Sequence, residues 1–232
     1  MHTQWQCLIK NCGVWQGQFQ QYSPTGEPLS GQPSVVTLQL TPDGKTMRQT
    51  VQVGDQTRVL EYASLGRSVA FFANGAFSQG STQFTPVGEF GAELGLIHGG
   101  QRLRAVVLYD QGKLTGITLI PEHLPDHAPI DPSPLTAHQL QGQWRGETTE
   151  IYPDGNNPKT YSHERQGFSA PDPMLYLPHH SALAIPHQII NRSPFSLSLW
   201  WLADPRTLYR MERGYDGQGG WSYLRLTQAS PQ

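Results

Sequence analysis

Charged residues make up only 15 % of this 232-residue chain, and the net charge is −2. About a quarter is usual for a globular protein. No broad basic field exists to hold a polyanion, which argues against nucleic-acid binding as the main role. Long apolar runs are missing as well: none approaches the ~20 residues that cross a bilayer. Met1–Gln6 shows neither the basic start nor the apolar core of a secretory signal. A soluble, cytoplasmic protein is expected. Cysteine is nearly absent: Cys7 and Cys12 are the only two. Their spacing suits neither a C-x-x-C redox pair nor a zinc knuckle, so two reduced thiols are expected.

Catalytic signatures are lacking too. There is no G-x-S-x-G, no phosphate-binding loop, no G-x-G-x-x-G and no H-E-x-x-H. His179, His180 and His187 lie among prolines with no nearby Cys, Asp or Glu, and are expected to be loop histidines rather than metal ligands. His123 and His127 are expected in solvent. Glu61, Glu89, Glu93, Glu147, Glu150 and Glu164 are scattered on strands, where a carboxylate usually faces water; a buried one beside an arginine would instead serve a polar ligand. No cofactor is called for, and a non-enzyme is expected.

What the chain does have is glycine and proline, 24 and 19 residues, with a dominant hydrophobic period of two. Val36, Leu38 and Leu40 alternate with Val35, Thr37 and Gln39. Leu103, Ala105, Val107 and Tyr109 alternate with Arg102, Arg104, Val106 and Leu108. Leu197, Leu199 and Trp201 alternate with Ser196, Ser198 and Trp200. These are half-buried strands. Asp43-Gly44, Asp110-Gln111-Gly112, Asp154-Gly155 and Asp216-Gly217 are turn signals between them. Many short strands predict a sandwich or barrel, and a barrel is preferred because closure removes exposed edges. Thr3 and Thr136 are each placed to cap a short helix ahead of a first strand.

An internal repeat organises these strands. Residues 13–26 and 142–155 align without gaps, matching Gly13, Trp15, Gly17, Pro24 and Gly26 to Gly142, Trp144, Gly146, Pro153 and Gly155. Near the ends of the halves, Arg104, Tyr109 and Asp110 parallel Arg210, Tyr215 and Asp216. Two matched ends argue for a duplicated unit. Between the halves, 121–134 holds five prolines in fourteen residues, which neither a helix nor a central strand accommodates. The expected organisation is a barrel over 1–122, a Pro-rich linker over 123–134 and a second barrel over 135–232.

Each half therefore opens a first strand with G-x-W, at Gly13-Val14-Trp15 and Gly142-Gln143-Trp144. This resembles the opening motif of the lipocalins and the wider calycin group. The resemblance implies that Trp15 and Trp144 plug the barrel bases, each with a late-strand arginine across the ring. Arg102 or Arg104 would serve Trp15, and Arg210 or Arg213 would serve Trp144; the repeat pairs Arg104 with Arg210. The longer pattern Trp15-Gln16-Gly17, Tyr22–Gly26, Arg102–Tyr109 and Ile117–Glu122 resembles a calycin family of cyanobacteria and plastids. That family, long a domain of unknown function, includes the chloroplast biogenesis factor for ATP synthase.

That likeness implies two tandem, antiparallel calycin-like barrels with short helices at their ends. It implies an assembly factor, a scaffold or chaperone, that binds protein subunits of a photosynthetic-membrane complex such as ATP synthase. The more distant likeness to bilin lyases implies the alternative, a carrier or lyase for a bilin or another hydrophobic ligand. Phe71, Phe72, Trp200, Trp201, Tyr209 and Trp221 are the candidate ligand or partner surface. Neighbours on a strand point to opposite faces, so one of Trp200 and Trp201 is expected to meet solvent, a partner or the other barrel.

Overall fold

The computed structural model describes residues 3–153, 158–167 and 173–232; the Asp154-Gly155 turn signal lies outside them. Helix α1 (Gln4–Ile9) precedes nine strands: β1 (Gly13–Tyr22), β2 (Pro28–Leu40), β3 (Met47–Val53), β4 (Gln56–Tyr62), β5 (Val69–Phe71), β6 (Phe77–Gly80), β7 (Glu89–His98), β8 (Gln101–Asp110) and β9 (Lys113–His123). A 3-10 turn (Ala137–Leu140) then precedes β10 (Trp144–Ile151), β11 (Lys159–Gln166), β12 (Leu175–Leu177), β13 (Ser181–Ala184), β14 (Phe195–Asp204), β15 (Thr207–Tyr215) and β16 (Trp221–Pro231). All pairings between these strands are antiparallel. No described helix is long and apolar enough to cross a membrane.

The strands form two sheets, in the orders β4-β3-β2-β1-β9-β8-β7-β6-β5 and β11-β10-β16-β15-β14-β13-β12. Read from β2 and from β11, the orders are the same. Among the described residues, the second sheet is a copy of the first without counterparts of β3 and β4. Each sheet rolls into a barrel-like shell. Trp15, Val36 and Met47 from one side of the first sheet pack in one cluster with Phe71 and Phe77 from the other side. Closure is left incomplete: among the described residues β4 does not pair with β5, nor β11 with β12. The two barrels expected from sequence are thus present as two curled, barrel-like sheets, and their end strands are short or polar.

The repeat has a direct physical basis. The second glycine of each motif lies where the first strand runs against the last. A Cβ on Gly17 would lie 2.2 Å from the Pro121 carbonyl oxygen, and one on Gly146 would lie 2.1 Å from that of Gln228. Neither site admits a side chain. Ahead of each motif Thr3 and Thr136 form full capping boxes with Gln6 and Gln139, satisfying otherwise orphaned N–H groups.

The largest core cluster belongs to neither barrel alone. It joins Leu94, Leu103 and Val107 of the first sheet to Leu199, Trp201 and Met211 of the second. At one end of this seam the Phe84 N–H donates to Gly219 O and the Trp221 N–H to Thr82 O, both at 2.8 Å. Close by, on the other side of Phe84, the Leu114 N–H donates to His187 O at 3.0 Å and that of Ile189 to Gly112 O at 2.8 Å. The Pro-rich stretch between the sheets is packed down rather than free: Ile130 and Leu135 are buried.

Candidate functional site

The indole N–H of Trp15 donates to Asn11 O at 2.8 Å, and that of Trp144 to Leu140 O at 3.3 Å. In both barrels the acceptor is the carbonyl four residues earlier, where the capped turn ends. The plugs are thus held alike from below but differ above. Arg102, not Arg104, lies over Trp15, its guanidinium carbon 4.4 Å from the ring centre. Arg104 lies over Phe19 instead, at 5.6 Å.

Register explains the difference. Gly17 pairs with Glu122, which pairs with Arg102; Gly146 pairs with Ala229, which pairs with Leu208. Leu208 is therefore the counterpart of Arg102, and it shares a core cluster with Trp144. Two residues on, Arg104 and Arg210 fall at equivalent positions. Arg210 lies over Trp200, at 4.9 Å, and Arg213 over Trp221, at 4.0 Å.

The interior of the first barrel holds a chain of buried charges. Glu122 accepts from Arg102 Nε (2.7 Å) and Nη2 (3.1 Å), and from Arg104 Nε and Nη2 (both 2.8 Å). Arg104 Nη1 also donates to Glu93 Oε1 at 2.7 Å, and Gln79 Nε2 donates to Glu93 Oε2 at 2.7 Å. Burial pushes the Glu122 carboxyl up, but the two guanidinium groups outweigh it and hold the group below the ordinary glutamate range. Two arginines and two glutamates balance, so the network is neutral as a whole. Beside it lies a cavity of about 300 Å³, walled by Leu8, Val36, Leu38 and Phe77, at the lower end of ligand-pocket sizes.

The second barrel carries its own polar interior. Glu150 accepts from Tyr161 Oη at 2.8 Å and is bonded by Tyr152 and Arg225; Glu212 accepts from Tyr223 Oη at 2.6 Å and is bonded by Arg210. Of the scattered glutamates, Glu93 and Glu150 are thus buried beside arginine rather than in water. Glu122 and Glu212 escaped the sequence reading. Their one signal was the pair Arg102 and Arg104 on one strand face, which requires a carboxylate if that face is inside.

The aromatic surface expected from sequence is buried. Trp200 and Trp201 are 1 % and 0 % exposed. Trp200 fills the second barrel and Trp201 packs against the first. Phe71 and Phe72 divide in the same way, Phe71 inside the first barrel and Phe72 at the seam. Tyr209 and Trp221 are also seam residues. The cause is that β14 and β15 are sandwiched between two shells, so both faces are covered. His179 departs from its loop reading as well: it lies in a turn but is buried, against Ile130 O and Gln20 Oε1. His127 is exposed and His123 half-buried.

Residues 1–127 match the family model described as "Domain of unknown function (DUF3598), N-terminal". The chain belongs to the DUF3598 family. Residues 163–230 match a second model, "Biogenesis factor required for ATP synthase 1, C-terminal domain". A solved structure of a DUF3598 protein of unknown function from Nostoc punctiforme PCC 73102 superposes with a TM-score of 0.91, at 30 % identity and over 100 % of both chains. No curated protein matches the chain. In this DUF3598 protein the residues that the repeat makes equivalent, Trp15 with Trp144 and Arg104 with Arg210, all serve the barrel interiors. The arginine brought to the seam is Arg213, fully buried, with Nη1 donating to Ser78 Oγ at 3.4 Å and Nη2 to Ser68 O at 3.3 Å.

Proposed function

We propose that this DUF3598 protein is a non-catalytic assembly factor that binds protein subunits of a photosynthetic-membrane complex, ATP synthase in the first instance, and acts in the cytoplasm without a cofactor. The match of 163–230 to the C-terminal domain of an ATP synthase biogenesis factor carries this reading. The geometry supports it. Plugs and charge networks line the barrel interiors, around a cavity of about 300 Å³ in the first, and a shared core joins the two barrels. Barrels joined in this way offer an outer surface for recognition, and preorganisation of this kind lowers the entropy cost of binding.

The test is direct. Purified chain is mixed with the separate α, β and γ subunits of the synthase from the same organism and run on size exclusion. The gene is also deleted and assembled catalytic head measured on native gels. The reading expects a complex with at least one unassembled subunit, a colourless protein, and less assembled head with subunit synthesis unchanged. Absence of any complex at micromolar concentration, with normal assembly in the deletion strain, overturns it.

A further inference from the structure

The two barrels and the segment between them meet in a groove of about 660 Å³. Buried Trp144 and Leu202 line it, with Pro231 from the end of β16. Gln101 of the first barrel and Ile130 of the connecting segment line it too, so the groove exists only when all three parts are assembled. Two carboxylates belong to it, Asp131 and Asp204, and no lysine or arginine is among its described lining residues.

Both carboxyls are held below the ordinary aspartate range. For Asp131 the main cause is the Ser133 N–H; for Asp204, partial burial acts upward and is outweighed by the Arg206 N–H, Thr207 and His98. Each has a histidine beside it: His180 Nε2 lies 3.5 Å from Asp131, and His98 Nε2 lies 2.9 Å from Asp204. His180 Nδ1 is buried and has no hydrogen-bond partner. The groove thus couples an apolar wall to two carboxylates, each with one imidazole beside it and no lysine or arginine among the groove's described lining residues.

We infer that this groove docks an arginine-bearing, extended segment of a partner polypeptide, with the guanidinium at Asp131 and Asp204 and a neighbouring apolar side chain against Trp144 and Leu202. The inference rests on the assembly reading for its partner being a protein. Arginine suits the site better than lysine. Its guanidinium is more weakly hydrated, forks onto carboxylates and stacks on flat rings. The volume, inside the range of specific pockets, accommodates a few side chains and not a folded domain.

The probes are acetyl-Leu-Arg-Leu-amide and acetyl-Leu-Glu-Leu-amide, titrated calorimetrically into the full chain. The arginine peptide is expected to bind at least about tenfold more tightly, a gap of about 1.4 kcal/mol, and to weaken as salt is raised. The Asp131→Asn, Asp204→Asn double variant is expected to lose that preference. Asp204 touches His98 across the seam, so its loss can disturb folding; Asp131→Asn alone, at an exposed position, is expected to weaken the arginine peptide severalfold with melting unchanged. Equal binding of the two peptides, or an unchanged titration in folded Asp131→Asn and in the double variant, overturns the proposal. Capture of synthase subunits is measured in parallel. If wild type and variants capture them equally, the groove is wrong and the assembly reading stands. If wild type captures none while the peptide preference holds, the assembly reading falls and the groove remains.

Discussion

Arg102 lies 4.4 Å over the Trp15 ring, while the matching place beside Trp144 is taken by Leu208. One fold has thus solved the same plug twice, once with a buried ion pair and once with a small apolar pair. The two solutions are related by the register that sets Arg102 opposite Glu122 and Leu208 opposite Ala229.

Exchanging one solution for the other gives a first prediction. Arg102→Leu alone leaves the buried Glu122 carboxylate with half of its donors, and is expected to cost about 3–5 kcal/mol. Adding Glu122→Ala reproduces the second barrel's pair, and Arg104 keeps Glu93. The double variant is expected to recover about 1–3 kcal/mol of the loss. Urea unfolding of both single variants and the double closes the cycle. Simple additivity of the two losses would show that the charges do not act as a pair.

Acid sensitivity follows from the same carboxylate. Its pKa is lower in the folded chain than the ordinary 4.5. Glu122 therefore contributes stability that is fully present above pH ~4.5 and is lost as pH falls through the folded value. Glu150 is shifted in the same direction, with burial opposing Tyr152, Tyr161 and Arg225. Melting temperature is expected to drop steeply below pH ~4.5. Glu122→Gln should melt lower at neutral pH and show a flatter acid limb. An acid limb of the same steepness in Glu122→Gln would remove Glu122 from this account.

The close strand crossings give a third prediction. Gly17→Ala and Gly146→Ala each push a Cβ to within about 2 Å of a backbone oxygen, which only a strand shift relieves. Overpacking of this kind costs about 1–3 kcal/mol. Gly31→Ala, whose Cβ meets nothing within 4 Å, is the control and should change little. Chemical denaturation of the three variants decides it; equal midpoints would mean that the repeat's second glycine has another origin.

Much of the fold was legible in the sequence. Period-two alternation located β2, β8 and β14, Thr3 and Thr136 marked both capped turns, and the two G-x-W-x-G segments announced the duplication. The faces were harder to read. By alternation alone Arg102 and Arg104 look like the wet side of β8, with Leu103, Ala105 and Val107 as its core side; only the G-x-W resemblance set one of them against Trp15. In the structure the apolar side meets the other barrel and the arginine side is the interior. Local pattern cannot distinguish a shell wall against solvent from one against a second shell. The same ambiguity left open whether the outer one of Trp200 and Trp201 meets solvent, a partner or the other barrel; it is Trp201, and it meets the other barrel. Arg102 was separable from Arg104 only through pairing with β9, a non-local contact.

The seam supplies the last prediction. Trp201, Met211, Tyr215 and Trp221 of the second barrel are buried in a core cluster shared with the first. Arg213, buried among them, has no carboxylate hydrogen-bond partner among the described residues. It donates to Tyr215 Oη, Ser78 Oγ and the carbonyls of Ser68 and Ser81. Burial lowers its pKa, and the contacts to the first barrel stand in for water. Truncation to 135–232 removes those acceptors and bares four large apolar side chains, a patch that soluble monomers rarely expose. The isolated second barrel is therefore expected to self-associate or precipitate and to bind a hydrophobic dye. The intact chain should unfold in one cooperative transition followed alike by tryptophan fluorescence and circular dichroism. If 135–232 instead purifies as a stable monomer and the full chain melts in two separated steps, the seam is a weak contact between independent barrels, and a groove that depends on both of them loses its rigidity.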